Sequence, residues 1–379
     1  MDKIEDNSEV NQISKRLTDW IKSKKSPPYQ INMYFTKQCN LKCKFCAFSP
    51  LIEKKYPSNE LSKEELLRAT KEGLELGIEV WYIAGGEPFF YPDKLLPMMG
   101  MIKKHGKYGN VNTNGTLFNR EIVKDIVSMG WDEITFSINV TDSKTEDFLK
   151  GEKGAFKKCI EAMKLIQSTK KEMNKEKPGL SIHTIIMNKN YKRLTDMLIL
   201  GHSLGVSSMN FTHIMEATDY VKKLKLTNEQ IELFKKEAEK AFLLSKKMKI
   251  FTNLEKYISS PLSDEIGNYT NILKSTSITK DSKSLLSAIC FEPWTQVTIF
   301  FDGTVGACGV WPCTSLKNEN VRNKNLKDIW YGEYFERIRE RLINRESIDT
   351  CLDCASSRIF KNEEIKNNIR KIMSEENKF

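Results

Sequence analysis

The sequence predicts an α/β protein, a partial (β/α)6 barrel followed by a small β-hairpin/α domain. Three observations carry that prediction. Between residues 29 and 215, strand-like stretches alternate with stretches of helical periodicity, the pattern of a parallel sheet with right-handed crossovers. Residues with chemistry to offer follow those strands, at the edge where parallel sheets place their sites. Further along, Asp302-Gly303 between two β-rich runs marks a hairpin in a second, cysteine-bearing region.

Taken in order, residues 8–25 place Val10, Ile13, Leu17 and Ile21 on one helical face, and Pro27-Pro28 ends that helix. Residues 29–36 alternate Ile31, Met33 and Phe35 and read as the first strand. Ser62 and Glu65 form a capping box that opens a helix running to about Leu76. Strands are then expected at 78–84, 107–113, 133–139, 180–187 and 208–215, with helices at 93–104, 119–128, 154–169 and 192–204. Residues 216–287 read as a helical connector in which Thr227 and Gln230 cap a long Lys/Glu-rich helix. The expected organisation is an N-terminal helix (1–27), the partial barrel (28–215), the connector (216–287), the cysteine-bearing domain (288–358) and a charged tail (359–379).

Composition narrows the function classes. Hydrophobic content of 40% suits a globular protein with a full core, and no apolar run reaches the length of a membrane span. The net charge of +10 is spread as lysines along helices, with no Arg-rich or aromatic-interleaved stripe, so neither nucleic acid nor membrane is an expected partner. The start MDKIEDNSEV is no signal peptide, and nine cysteines in tight clusters suggest metal ligation in a reducing cytoplasm.

The sharpest motif is Cys39-Asn-Leu-Lys-Cys43-Lys-Phe-Cys46, directly after the first strand. Three thiols at C-x3-C-x2-C fit one tight loop and can ligate three corners of a cubane iron–sulfur cluster, leaving one iron open. A structural zinc loop or three core thiols is the competing reading, although zinc in a closed site wants a fourth ligand nearby. Gly85-Gly86-Glu87-Pro88 follows the second strand; alone it would be a plain turn.

Together, the cysteine loop with Phe45 before its last thiol and the GGEP tetrapeptide resemble the radical SAM superfamily over about residues 28–215. The resemblance implies that Cys39, Cys43 and Cys46 hold a 4Fe–4S cluster whose open iron binds S-adenosylmethionine. It implies that Gly85, Gly86, Glu87 and Pro88 meet the methionyl moiety, that Phe45 packs by the adenine, and that Asn114, Ser137 and Asn139 lie among the cofactor contacts. His183 and His213, on the fifth and sixth strands, read as core or rim histidines before catalytic ones. Cys159 reads as a core thiol.

The second region is similar to a SPASM/twitch extension. That likeness implies one auxiliary 4Fe–4S cluster on Cys290, Cys308, Cys351 and Cys354. Cys313 is one thiol more than that cluster needs, and a buried structural thiol, an alternative ligand and a hydrogen-atom donor all compete for it. The family likeness implies a low-potential electron donor of flavodoxin or ferredoxin type. About thirty residues precede the first strand, too few for a leader-binding domain. The expected substrate is therefore small and polar, carbohydrate- or aminocyclitol-like, undergoing oxidation or epimerisation, with a ribosomal peptide or protein as the alternative. An iron–sulfur electron carrier is the non-enzyme reading.

Overall fold

The computed structural model describes residues 4–46, 59–214, 218–259, 285–288, 290–308, 319–344, 346 and 362–376. The chain folds as two compact units, one of Met1–Met33, Leu61–Trp81 and Asp264–Phe379, the other of Tyr34–Glu60 and Tyr82–Ser263. Strands β1 (Gln30–Tyr34) and β2 (Val80–Ala84) each contribute residues to both.

The Tyr34–Glu60/Tyr82–Ser263 unit contains β3 (Tyr108–Thr113), β4 (Glu133–Ser137), β5 (Gly179–Ile186), β6 (Ser208–His213) and β7 (Phe251–Thr252), all paired in parallel and in chain order. Parallel pairing needs a crossover after each strand, and the helices Arg120–Met129, Ala155–Glu172, Leu194–Ser203 and Asn228–Met248 supply four of them. Their caps are local. Asn119 accepts from the Ile122 amide at 2.8 Å, and Thr227 and Gln230 close the expected capping box. The segment expected to be a helical connector therefore also carries a short strand, which extends the sheet beyond β6.

The sheet has two chemically different faces. The apolar face carries Val111, Phe136, Ile182 and Phe211, all fully buried. On the other, register aligns Ser137, His183 and Asn210 across β4–β6, and Asn112, Thr135, Ser181 and Ser208 across β3–β6. Thr135 and Ser181 bond through their hydroxyls at 2.8 Å. Mid-strand Asn112 and Asn210 are exposed. Alternation along a strand puts every second side chain on this face, so it is a polar face, exposed at Asn112 and Asn210 and buried at Thr135 and Ser181.

A helix the sequence reading passes over, Ser143–Lys150, follows β4. Asp142 caps it, accepting from the Thr145 amide at 2.8 Å. Gly151 ends it in the left-handed conformation.

In the other unit the capping box of Ser62 and Glu65 forms, with both hydrogen bonds present. There β1 pairs in parallel with β8 (Gln296–Ile299), and β8 turns into antiparallel β9 (Thr304–Gly306) through Asp302-Gly303, the glycine at φ 84°. β10 (Glu319–Asn320) completes this edge. After β10 come two helices, Leu326–Trp330 and Glu333–Ile343, separated at Tyr331 and Gly332, with Gly332 the cap of the second. Arg339 is buried among Trp20, Trp330 and Phe335, its guanidinium carbon 4.5, 4.5 and 5.0 Å from the ring centres. Its Nε donates to the Pro293 carbonyl at 2.9 Å. The tail helix Asn362–Glu376 lies against the helix Ile4–Ile21, burying Ile365 and Ile369. No helix among the described residues is long and apolar enough to cross a membrane.

Candidate functional site

Cys39, Cys43 and Cys46 lie on the loop after β1, the first exposed and the others half-buried. The loop is held from two sides. On one side, the Gly86 amide donates to the Thr36 carbonyl at 2.7 Å and the Glu87 amide to the Gln38 carbonyl at 2.8 Å. On the other, the Lys44 amide donates to the Leu149 carbonyl at 2.8 Å and the Lys42 amide to the Lys150 carbonyl at 3.2 Å. The end of the helix Ser143–Lys150 is thus a wall of the cysteine loop.

The two glycines act here first through what they lack. A Cβ on Gly85 would stand 2.6 Å from the Thr36 carbonyl oxygen, and one on Gly86 would stand 2.1 Å from that of Gln38. No side chain fits at either distance. The close approach expected toward a methionyl group is, within the protein itself, an approach to the backbone leading into the cysteines.

Glu87 is fully buried, with its carboxylate turned inward. It accepts from the Asn114 amide at 2.7 Å, the Thr113 hydroxyl at 2.8 Å and the Phe89 amide at 3.1 Å. Burial still pushes its carboxyl up to about 7, against these three donors. Pro88 opens the short 3-10 turn Pro88–Phe90 that follows. Asn114, at the end of β3, spans the site: its Nδ2 donates to Asn40 Oδ1 at 2.9 Å and lies 3.8 Å from Cys39 Sγ. The Leu41 amide lies 3.4 Å from the same sulfur. Such N–H groups aimed at sulfur suit a ligating thiolate.

Burial raises the Cys39 thiol and pushes Cys43 up to about 12. Among the described residues no three His, Cys, Asp or Glu side chains converge on one point as a single metal ion would require. Three separate thiols on one loop suit the separate corners of a cluster instead.

The other expected contacts have surroundings of their own. Phe45 is buried in an apolar cluster with Val140, Leu149, Met187, Ile214, Val221 and Leu224. Asn139 is buried and fully engaged: its amide donates to Glu146, its Oδ1 accepts from the Ile185 amide at 3.0 Å and its carbonyl accepts from Asn190 Nδ2 at 2.9 Å. Ser137 is on the polar face, paired with His183. His183 bonds Thr212 Oγ1 at 2.9 Å, and burial holds it down at about 4, so it is neutral near pH 7. His213 shares the apolar face with Phe211 and meets the Tyr257 ring edge-on at 5.0 Å, apart from the polar rows. Cys159 is a fully buried thiol.

The polar rows, Glu146 and Lys150 were not found in the sequence. Alternation in β3–β6 carried a signal for the rows. For the two charged residues there was none, since their helix itself went unread.

In the other unit Cys290 and Cys308 are half-buried, just before the short helix Glu292–Thr295 and just after β9. Cys313, Cys351 and Cys354 lie outside the described residues.

Residues 33–197 match the radical SAM superfamily, and residues 290–355 match an iron–sulfur cluster-binding domain, SPASM. Among curated proteins, a PqqA peptide cyclase of Gluconobacter oxydans is 24% identical over 188 residues, 50% of each chain. A tungsten-containing aldehyde ferredoxin oxidoreductase cofactor-modifying protein of Pyrococcus furiosus is 25% identical over 185 residues, 48% of this chain and 51% of that one. The chain spans about half the length of these curated relatives. Among solved structures, Streptococcus suis SuiB aligns with TM-score 0.62 at 18% identity, covering 84% of this chain and 70% of its own. An anSMEcpe structure with bound AdoMet and a Cp18Cys peptide aligns with TM-score 0.58 at 15% identity, covering 91% of this chain and 100% of its own. These structural likenesses speak to the fold. Residues 33–197 thus carry a radical SAM domain and residues 290–355 an iron–sulfur cluster-binding SPASM domain.

Proposed function

We propose that this protein is a radical SAM enzyme that modifies a peptide or protein substrate. The observation that carries the substrate class is the recurrence of peptides among its relatives: a PqqA peptide cyclase, SuiB bound to its precursor peptide SuiA, and anSMEcpe bound to a peptide. The small carbohydrate- or aminocyclitol-like substrate expected from the short N-terminal segment finds no such support. Oxidation and epimerisation are likewise finer than the relatives support.

The geometry supports the following roles. Cys39, Cys43 and Cys46 would hold the 4Fe–4S cluster, with the Leu41 amide and Asn114 Nδ2 directed at Cys39. When bound there, the cluster and S-adenosylmethionine supply a 5′-deoxyadenosyl radical able to take hydrogen from an unactivated carbon. Gly85, Gly86 and the Glu87 amide would fix the loop's entry, with Pro88 opening the turn that follows. Ser137 and His183, on the polar face, would contact substrate or S-adenosylmethionine, His183 as a neutral hydrogen-bonding group. Cys290 and Cys308, with Cys351 and Cys354, would hold one auxiliary cluster. A flavodoxin- or ferredoxin-type donor would supply the electron.

Anaerobically reconstituted protein, given S-adenosylmethionine and deuterated candidate peptides, should place deuterium in 5′-deoxyadenosine. Transfer from a deuterated sugar or aminocyclitol, with none from any peptide, would overturn the peptide reading.

A further inference from the structure

The Lys150 side chain is only 1% exposed and that of its partner Glu146 is 0%. Its ammonium donates to the Ser137 carbonyl at 2.7 Å and lies 3.5 Å from both the Asn114 carbonyl and Glu146 Oε1. It thereby ties the ends of β3 and β4 together. Its own carbonyl and that of Leu149 receive the Lys42 and Lys44 amides of the cysteine loop. Gly151 continues the contact, since a Cβ there would stand 2.6 Å from the Lys42 carbonyl oxygen.

A buried ion pair is costly to desolvate, and an apolar pair often serves stability as well or better. Stability is therefore a weak reason for this one. The surroundings point to another. Glu146 is drawn toward the β4 end by the Asn139 and Val140 amides at 3.2 and 3.1 Å. Asn114, whose carbonyl the ammonium approaches, directs its own Nδ2 at Cys39 Sγ, and Lys42 and Lys44, whose amides the end of this helix receives, flank Cys43. The other titratable groups acting with Lys150 are Glu87 and the buried thiol of Cys159. The pair thus presents its positive end to the ligand loop.

We infer that Lys150 is a positioning residue for the cluster site, a fixed positive charge that braces the cysteine loop and stabilises the negative charge of the thiolates and of the added electron. This rests on the cluster reading of Cys39, Cys43 and Cys46. The test is an EPR-monitored redox titration of the full chain, reconstituted anaerobically, alongside iron content and the melting temperature before reconstitution. Lys150→Met should shift the midpoint potential of the S-adenosylmethionine-binding cluster to a lower value, Glu146→Gln should shift it higher, and Lys150→Arg should restore it most of the way. A bracing role without an electrostatic one would not move the two charge-removing variants in opposite directions. If Lys150→Met loses that cluster's iron while its apo melting temperature is unchanged, the bracing role is supported. If that variant does not fold, Glu146→Gln decides, and a potential equal to or below the native one overturns the inference. Equal potentials in native and Lys150→Met protein with full iron also overturn it. A native chain that holds no cluster on this loop would instead sink the cluster reading itself.

Discussion

The two cysteine-bearing regions encode their sites in different ways. In the first, three thiols fall within eight residues on one loop directly after β1, which the distant glycine pair and the end of the helix Ser143–Lys150 then hold. In the second, the proposed ligands are scattered from Cys290 to Cys354, and only Cys290 and Cys308 lie among the described residues, on either side of the β8–β9 hairpin. A loop that carries all its ligands can be read from spacing alone. A site assembled from distant segments depends on the hairpin and helices that bring them together. The difference teaches that ligand spacing names a cofactor only where the ligands share one loop.

Cys43→Ala should break the comparison most forcefully. It should abolish 5′-deoxyadenosine formation and keep about half the iron, because the second region has its own ligands. Iron falling to zero on assay would mean the two regions are not independent sites. Gly86→Ala comes next. Its Cβ would stand 2.1 Å from the Gln38 carbonyl oxygen, so the backbone must move, at a cost of about 2 kcal/mol or more. Chemical denaturation should show that loss, and iron on the first loop should fall with it. An unchanged midpoint and full iron would mean the loop tolerates a wider approach.

Glu87 sharpens the picture through pH. Its carboxyl is pushed from 4.5 up to about 7 by burial, so the folded chain holds that proton more tightly than the unfolded one. That contribution is fully present below pH 4.5 and is lost as pH rises through 7. Native stability minus that of Glu87→Gln should therefore fall across this window, by at most about 3 kcal/mol. A difference that is flat or rising with pH would show that the three donors to the carboxylate outweigh its burial. The smallest effect is expected at Cys313→Ala, which should keep its full iron content. Loss of about one cluster's iron would add Cys313 to the second region's ligands.

Much of this was legible because it was local. The Ser62–Glu65 capping box, the Asp302-Gly303 turn and the alternation of β1 each declare themselves within a few residues. What escaped was set from a distance. Lys150 and Glu146 lie on a helix that went unread, and only the carbonyls of β3 and β4 and the amides of Asn139 and Val140 reveal them as buried. β7 is two residues long and exists because β6 offers it an edge. Gly85-Gly86 was visible as a motif, but its nearest partner, the Thr36–Gln38 backbone, became visible only in the fold.

The central claim is that the Cys39–Cys46 loop supports radical chemistry on S-adenosylmethionine. Its most direct measurement is 5′-deoxyadenosine formed by anaerobically reconstituted protein given dithionite and S-adenosylmethionine. The account predicts formation by the native chain and none by Cys43→Ala. An iron-loaded native chain that yields no 5′-deoxyadenosine, or a Cys43→Ala variant that yields as much as the native one, would contradict it.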